Sequence, residues 1–291
     1  PVCHLEPDSG TAIQLDDVAV QYRLPTERIG TFKEFAIRFL QRKVSYTHFW
    51  ALQGVDLKVR RGEVFGIVGK NGAGKSTLMS MLFGMYEPDE GEIYIRGERA
   101  RIHSPNFAAK LGIGMVHQHF KLVQEYTVAE NIILGQEPAR RLFGFLPAVD
   151  LAGAARKIAG LSKKYGLAVD PGKKIEDTGI SVQQRVEILK MLYRGCDILI
   201  MDEPTTVLTP QEVKELFKMM RKMADQGKSI VLITHKLNEV LEVADSVTVL
   251  RRGKVVGNAR TADLDEKVLT QMMVGKELTP SRREVLERSR E

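Results

Sequence analysis

The 291-residue chain is 43% apolar, enough for a substantial buried core, and its net charge of +6 permits contact with nucleic acid or anionic lipid without demanding either. No apolar run approaches the roughly 20 residues that cross a bilayer, so any role at a membrane has to come through a partner. Only two cysteines occur, Cys3 and Cys196, with no histidine or cysteine at metal-ligand spacing, and they read as two reduced thiols.

Pro1, Val2, Cys3 and His4 form no basic segment leading into an apolar stretch, so the expectation is a cytoplasmic protein without a secretory signal. Strands are expected at residues 12–20 and 50–59. Between them Phe32, Phe35, Ala36, Phe39 and Leu40 recur at helical spacing, leaving Lys33, Arg38, Arg42 and Lys43 on the other face. Such a helix either packs on its own domain or meets a membrane subunit or anionic headgroups. Further strands are expected at 64–68 and 92–96. Strand signals then fade between 125 and 194, where 151–165 and 182–193 read as helices of an insertion. Strands return at 197–202, 229–234 and 246–250, alternating with helical stretches. This order of elements predicts a mixed sheet early and a parallel α/β core later. Residues 278–291 form a charged tail poor in apolar side chains.

The strongest chemical signal is Gly69, Lys70, Asn71, Gly72, Ala73, Gly74, Lys75, Ser76 and Thr77, which fits G-x-x-x-x-G-K-[ST] directly after an apolar strand. Glycines let successive backbone N–H groups turn inward around phosphates, and a helix starting near Ser76 points the positive end of its dipole at them. Lys75 is then expected on the β and γ phosphates and the Ser76 hydroxyl on Mg²⁺. A second element, Ile198, Leu199, Ile200, Met201, Asp202 and Glu203, is a buried strand ending in two acids. Asp202 is expected to hold Mg²⁺ through its water shell and Glu203 to polarise the water that attacks the γ phosphate.

With these elements in place, residues 12–276 resemble the ATP-binding cassette (ABC) family. The resemblance implies an α/β P-loop NTPase of the ABC type, with a mixed and parallel sheet core, an antiparallel β subdomain and a helical insertion. It implies an ATPase domain at 12–277 with a helical subdomain at about 125–194, between tails at 1–11 and 278–291. Gln118 resembles the family's Q-loop glutamine, which reaches Mg²⁺ and the attacking water, and its neighbours His117 and His119 match that segment rather than a metal pair. His235 resembles the switch histidine that contacts the γ phosphate. Tyr22 stands where the family stacks an aromatic on adenine, although an aromatic there equally serves a core. Residues 15–78, with Phe49, Trp50, Ala51 and Leu52, are similar to the ATPases of polysaccharide exporters. The longer stretch 81–277, including Gln184, Arg185, Val186 and Glu187, is similar to the ATPases of simple-sugar and nucleoside importers, where such a segment is commonly the first of two cassettes.

The family shares each site between two cassettes, the signature loop of one covering the γ phosphate held by the other. Here that loop reads Gly179, Ile180, Ser181, Val182, Gln183, Gln184 and Arg185, two residues shorter than the family pattern and lacking the glycine after Val182. Ser181 is expected to cap the following helix and, with Val182 and Gln183, to face the partner's phosphate. Thr205, Thr206, Val207, Leu208 and Thr209 carry threonine where many members have the D-loop aspartate. The expectation is tight Mg·ATP binding with slow hydrolysis. The implied partners are a second cassette, identical or different, transmembrane permease subunits and, for import, a solute-binding protein, with no nucleic acid. The implied location is peripheral, at the cytoplasmic face of the membrane. The readings that compete with import are polysaccharide export, a non-transport ABC ATPase and a nucleotide-binding regulator impaired in hydrolysis.

Overall fold

The centre of the fold is set by strand segments in which nearly every residue is buried, so that both faces of a sheet must be covered. The computed structural model describes residues 10–25, 46–118, 120–142 and 146–275. The expected basic helix around residues 32–40, the tail at 278–291, His119 and Cys3 lie outside the described residues.

The elements are β1 (Thr11–Pro25), β2 (Tyr46–Arg60), β3 (Val64–Val68), α1 (Lys75–Leu82), β4 (Glu90–Ile95), β5 (Glu98–Arg99), α2 (Pro105–Lys110) and β6 (Ile113–Val116). Then follow α3 (Val128–Ile133), β7 (Ala139–Leu142), β8 (Leu146–Val149), α4 (Leu151–Tyr165), α5 (Ile180–Tyr193), β9 (Ile198–Asp202), α6 (Pro210–Asp225) and β10 (Ser229–Thr234). The last are α7 (Leu237–Val243), β11 (Ser246–Arg251), β12 (Lys254–Arg260) and α8 (Glu266–Val274). One sheet is antiparallel, in the order β2-β1-β4-β5. The other runs β12-β11-β3-β10-β9-β6 and is parallel from β11 to β6, with β12 antiparallel at its edge.

Alternation along the parallel strands splits the core in two. Phe65 and Ile67, Ile198 and Ile200, and Val231 and Ile233 face Ile13, Leu15 and Leu57 of the antiparallel sheet, with Leu78 and Met81 of α1 in the same cluster. Val64 and Val68, Leu199 and Met201, and Ile230 and Leu232 face the other way, into a cluster with Leu216 and Met220 of α6 and with residues of α3, α4, α5, α7 and α8. A side chain such as Phe65, fully buried, contributes roughly 1.5–3 kcal/mol over its exposed state.

The expected helical insertion contains α3, α4 and α5, but it also carries a two-stranded antiparallel hairpin, β7–β8, where the sequence pattern predicts no strand. Four-residue strands holding Arg140, Arg141 and Pro147 lack the β-branched alternation that marks a strand in sequence.

Candidate functional site

Strand order and register bring the site together. β10 lies between β3 and β9, with Thr234 paired to Val68 and Ile233 to Asp202, while Met201 of β9 pairs with Val116 of β6. All four strands are parallel, so the loops that follow them leave one edge side by side. Those loops carry the glycine-rich segment, Gln118, Asp202 with Glu203, and His235. They line a cavity of about 520 Å³ together with Tyr22, Phe49, Ala51 and Thr206.

The glycine-rich loop runs from Gly69 to the start of α1. Gly72 has φ 78°, and a Cβ placed there would meet no atom within 4 Å, so its glycine answers to backbone conformation and not to crowding. Gly74, at the N-cap of α1 with φ 105°, is needed for the opposite reason: a Cβ would lie 2.9 Å from the Ala51 carbonyl oxygen and 2.8 Å from Leu52 Cδ2. The loop is therefore pressed against β2. Lys75 is buried, its ammonium folded back to donate to the Gly69 carbonyl. Burial lowers its pKa, and the charges of Glu203 and Asp202 oppose that shift. Asp202 moves the other way: burial raises its pKa, the neighbouring Glu203 charge adds to the rise, and Lys75 counteracts it.

Glu203 has a left-handed backbone, φ 47°, held by an N–H bond to the Ile233 carbonyl at 2.8 Å. Its Oε1 lies 2.7 Å from His235 Nδ1, whereas its buried Oε2 has no hydrogen-bond partner among the described residues. A buried carboxylate oxygen without a donor marks a position for a polar ligand. The rest of the wall supplies oxygen donors: the exposed Ser76 hydroxyl, the exposed Gln118 side chain and the Asp202 carboxylate. His117, beside Gln118, packs edge-on against Phe83 with centroids 6.0 Å apart, and burial lowers its pKa. Tyr22 is half-buried, its hydroxyl 3.5 Å from Thr77 Oγ1 and its ring edge-on to Tyr86.

The segment expected to work in trans lies outside this cavity and differs from expectation. Helix α5 begins at Ile180 with Gly179 as its N-cap and no side-chain cap, so Ser181 is not the capping residue. Ser181 sits within the first turn of α5 and is half-buried. Val182 packs on the core, and Gln183 Nε2 donates to the Thr178 carbonyl at 3.2 Å. The outward surface there is Gly179 and Ile180, both exposed, and a Cβ added at Gly179 would meet no atom within 4 Å.

Sequence reasoning missed two features. Phe49 lines the cavity beside its cross-strand partner Tyr22, a pairing hidden by the 26 residues between them in sequence. The second is a polar cluster in which Lys236, next to His235 in the chain, meets the buried Thr205 and Glu239. Thr205 Oγ1 donates to Glu239 Oε2 at 2.8 Å, and Lys236 Nζ reaches both Thr205 Oγ1 at 3.1 Å and Glu239 Oε1 at 3.0 Å. Thr205 and Glu239 are 34 positions apart and no motif links them, so only the fold reveals the contact.

The ABC transporter family pattern matches residues 52–206, more than half of the chain. Over 246 residues the chain is 48% identical to the nucleoside import ATP-binding protein NupA of Lactococcus lactis subsp. cremoris, covering 84% of this chain and 48% of that one. It is 49% identical over 246 residues to the guanosine import ATP-binding protein NupO of Bacillus subtilis, covering 84% and 47%. It is 48% identical over 247 residues to the glucose import ATP-binding protein TsgD13 of Haloferax volcanii, covering 77% and 45%. The chain thus spans about half the length of the curated relatives it matches. Among solved structures, the ADP conformation of the ATP-binding cassette MJ1267 superposes with a TM-score of 0.71 at 22% identity, covering 91% of this chain and 99% of that one. The dimeric cassette MJ0796 gives 0.64 at 24% identity, covering 86% and 98%. At such identities the likeness carries the fold: a P-loop cassette of mixed α/β architecture.

Proposed function

We propose that this chain, which belongs to the ABC transporter family, binds and hydrolyses ATP with Mg²⁺ and drives a membrane permease that imports a simple sugar or a nucleoside. The observation that carries the proposal is the convergence of Lys75, Asp202, Glu203 and His235 on one open glycine-rich loop. The functions named for the relatives, import of nucleosides, guanosine and glucose, support the direction and the cargo class.

An oxygen-only set of Ser76, Asp202 and Gln118 fits a hard divalent cation, and the partnerless Glu203 Oε2 leaves room for water beside it. When bound, Mg²⁺ neutralises charge on the β and γ phosphates. The chain supplies the rest. Main-chain N–H groups of the loop and the start of α1 cradle the phosphates, and Lys75 releases the Gly69 carbonyl to pair with them. Glu203 Oε2 accepts a proton from water as that water's oxygen bonds to the γ phosphorus and the bond to the β–γ bridging oxygen breaks. His235 holds Oε1, which fixes the carboxylate so that Oε2 faces the water.

The signature segment lies outside its own cavity, in keeping with sites completed by a second cassette; the partner would then be approached by Gly179 and Ile180 at the start of α5. No helix among the described residues is long and apolar enough to cross a membrane, so attachment is proposed to run through permease subunits, with a solute-binding protein delivering cargo. The test is size-exclusion chromatography of Glu203→Gln with Mg·ATP. A nucleotide-dependent shift from monomer to dimer is expected; a monomer under all conditions contradicts the shared site.

A further inference from the structure

We infer that Gln184 and Glu239 are positioning residues for hydrolysis: from two different helices they clamp Pro204 and Thr205, the two residues that follow Glu203, and so keep the Glu203 carboxylate and His235 in register. The inference rests on the ATPase reading above and deepens it.

Neither Gln184 nor Glu239 lines the cavity. Gln184, on α5, is buried, and its Nε2 donates to the Pro204 carbonyl at 2.7 Å. Glu239, on α7, is buried too, and its Oε2 accepts the hydroxyl of the buried Thr205 at 2.8 Å. The same carboxylate is held by Lys236 Nζ, 3.0 Å from Oε1, and by the Thr234 hydroxyl, 3.5 Å from Oε2. Thr234 and Lys236 flank His235, and the Thr234 hydroxyl accepts the Lys236 N–H at 3.0 Å. Glu239 therefore ties both neighbours of His235 to the second residue after Glu203.

Glu203 needs such support. Its left-handed backbone, φ 47°, persists only where neighbouring structure imposes it. The bond from Glu203 Oε1 to His235 Nδ1 spans two loops, one after β9 and one after β10, so its 2.7 Å length depends on those loops keeping their places. The clamp fastens them to each other within two residues of both groups. Stability alone does not account for a carboxylate at this position. Burial strips its hydration, and a well-packed apolar group of similar volume is often at least as stabilising. Directional hydrogen bonds give what apolar packing does not, a single fixed arrangement of the groups they join.

The experiment measures phosphate release from saturating Mg·ATP by the full chain, with ATP affinity from calorimetry and a thermal midpoint for each variant, all rates being taken well below the midpoints. Thr205→Val removes the hydroxyl at nearly constant volume, and Gln184→Leu removes the donor to Pro204. Each is expected to lower kcat by about tenfold or more while ATP affinity stays within about twofold. Glu239→Leu should behave likewise, and Glu239→Gln, which keeps an acceptor for Thr205, should retain most of the turnover. In a Glu203→Gln background Thr205→Val should lower the residual rate no further, because the clamp acts through Glu203. Should Glu239→Leu fail to fold, Thr205→Val decides. The inference is overturned if Thr205→Val and Gln184→Leu melt earlier yet turn over like the wild type, if ATP affinity falls in step with kcat, or if Thr205→Val costs as much rate in the Glu203→Gln background as in the wild type. An active wild type beside unaltered variants sinks this inference alone; a wild type without turnover sinks the ATPase reading with it.

Discussion

Glu203 occupies a backbone conformation that glycine adopts freely and glutamate does not, and it places a second carboxylate beside the half-buried Asp202. Left-handed non-glycine residues cost of order 1–3 kcal/mol and persist where surrounding structure imposes them. Glu203→Gly is therefore expected to raise stability by about 1 kcal/mol in urea melts while removing ATP turnover; a destabilised variant contradicts the strain argument. The acid itself was legible, because four apolar residues followed by two carboxylates mark a strand end at a site. Its φ and its bond to His235 were not, since both depend on β10 lying beside β9. Cys196 gives a second expectation. Burial pushes its thiol pKa up to about 11, so in a Cys3→Ser chain it should resist a thiol reagent at pH 8 until denaturant is added. Rapid native labelling would show that the thiol is open to solvent.

The helices display what local sequence determines and where it is ambiguous. Thr127 and Glu130 form a reciprocal capping box at α3, and Thr209 and Glu212 form another at α6. In the first, the Thr127 N–H and hydroxyl both bond to the Glu130 carboxylate and lower its pKa from the ordinary 4.5. The folded state thus binds this proton less readily than the unfolded chain. The stabilisation is complete above 4.5 and is lost as pH falls through the depressed folded value. Thr127→Ala is expected to cost about 1 kcal/mol at pH 7. The gap between wild type and Glu130→Gln should close as urea melts are taken from pH 7 to pH 3; a gap that widens in acid contradicts the sign.

Other element boundaries followed packing and not propensity. β6 escaped detection because it is four residues long and includes Gly114, where a Cβ would come within 3.0 Å of Cys196 Sγ and Met191 Cβ. The start of α5 was ambiguous because Gly179, Ile180, Ser181 and Val182 offer both a glycine and a serine as cap. The structure uses the glycine, and Ser181 falls inside the first turn.

At the scale of the whole molecule, the parallel sheet explains why motifs far apart in sequence line one cavity. Lys75 follows β3 and His235 follows β10, and these strands are direct neighbours paired from Ile230 with Val64 to Thr234 with Val68. The buried strands were readable as continuous apolar runs, and the glycine-rich loop was readable as the link between a strand and a helix. Strand order was not readable from patterning, and without it the facing of Tyr22 and Phe49 stayed hidden. The most direct measurement is release of inorganic phosphate from Mg·ATP by the purified chain and by Glu203→Gln, with bound nucleotide quantified in both. Steady release by the wild type is expected, with a drop of about 10²–10⁴-fold in the variant while ATP stays bound. Equal release from both proteins would contradict the assignment of Glu203 as the group that takes the proton from water.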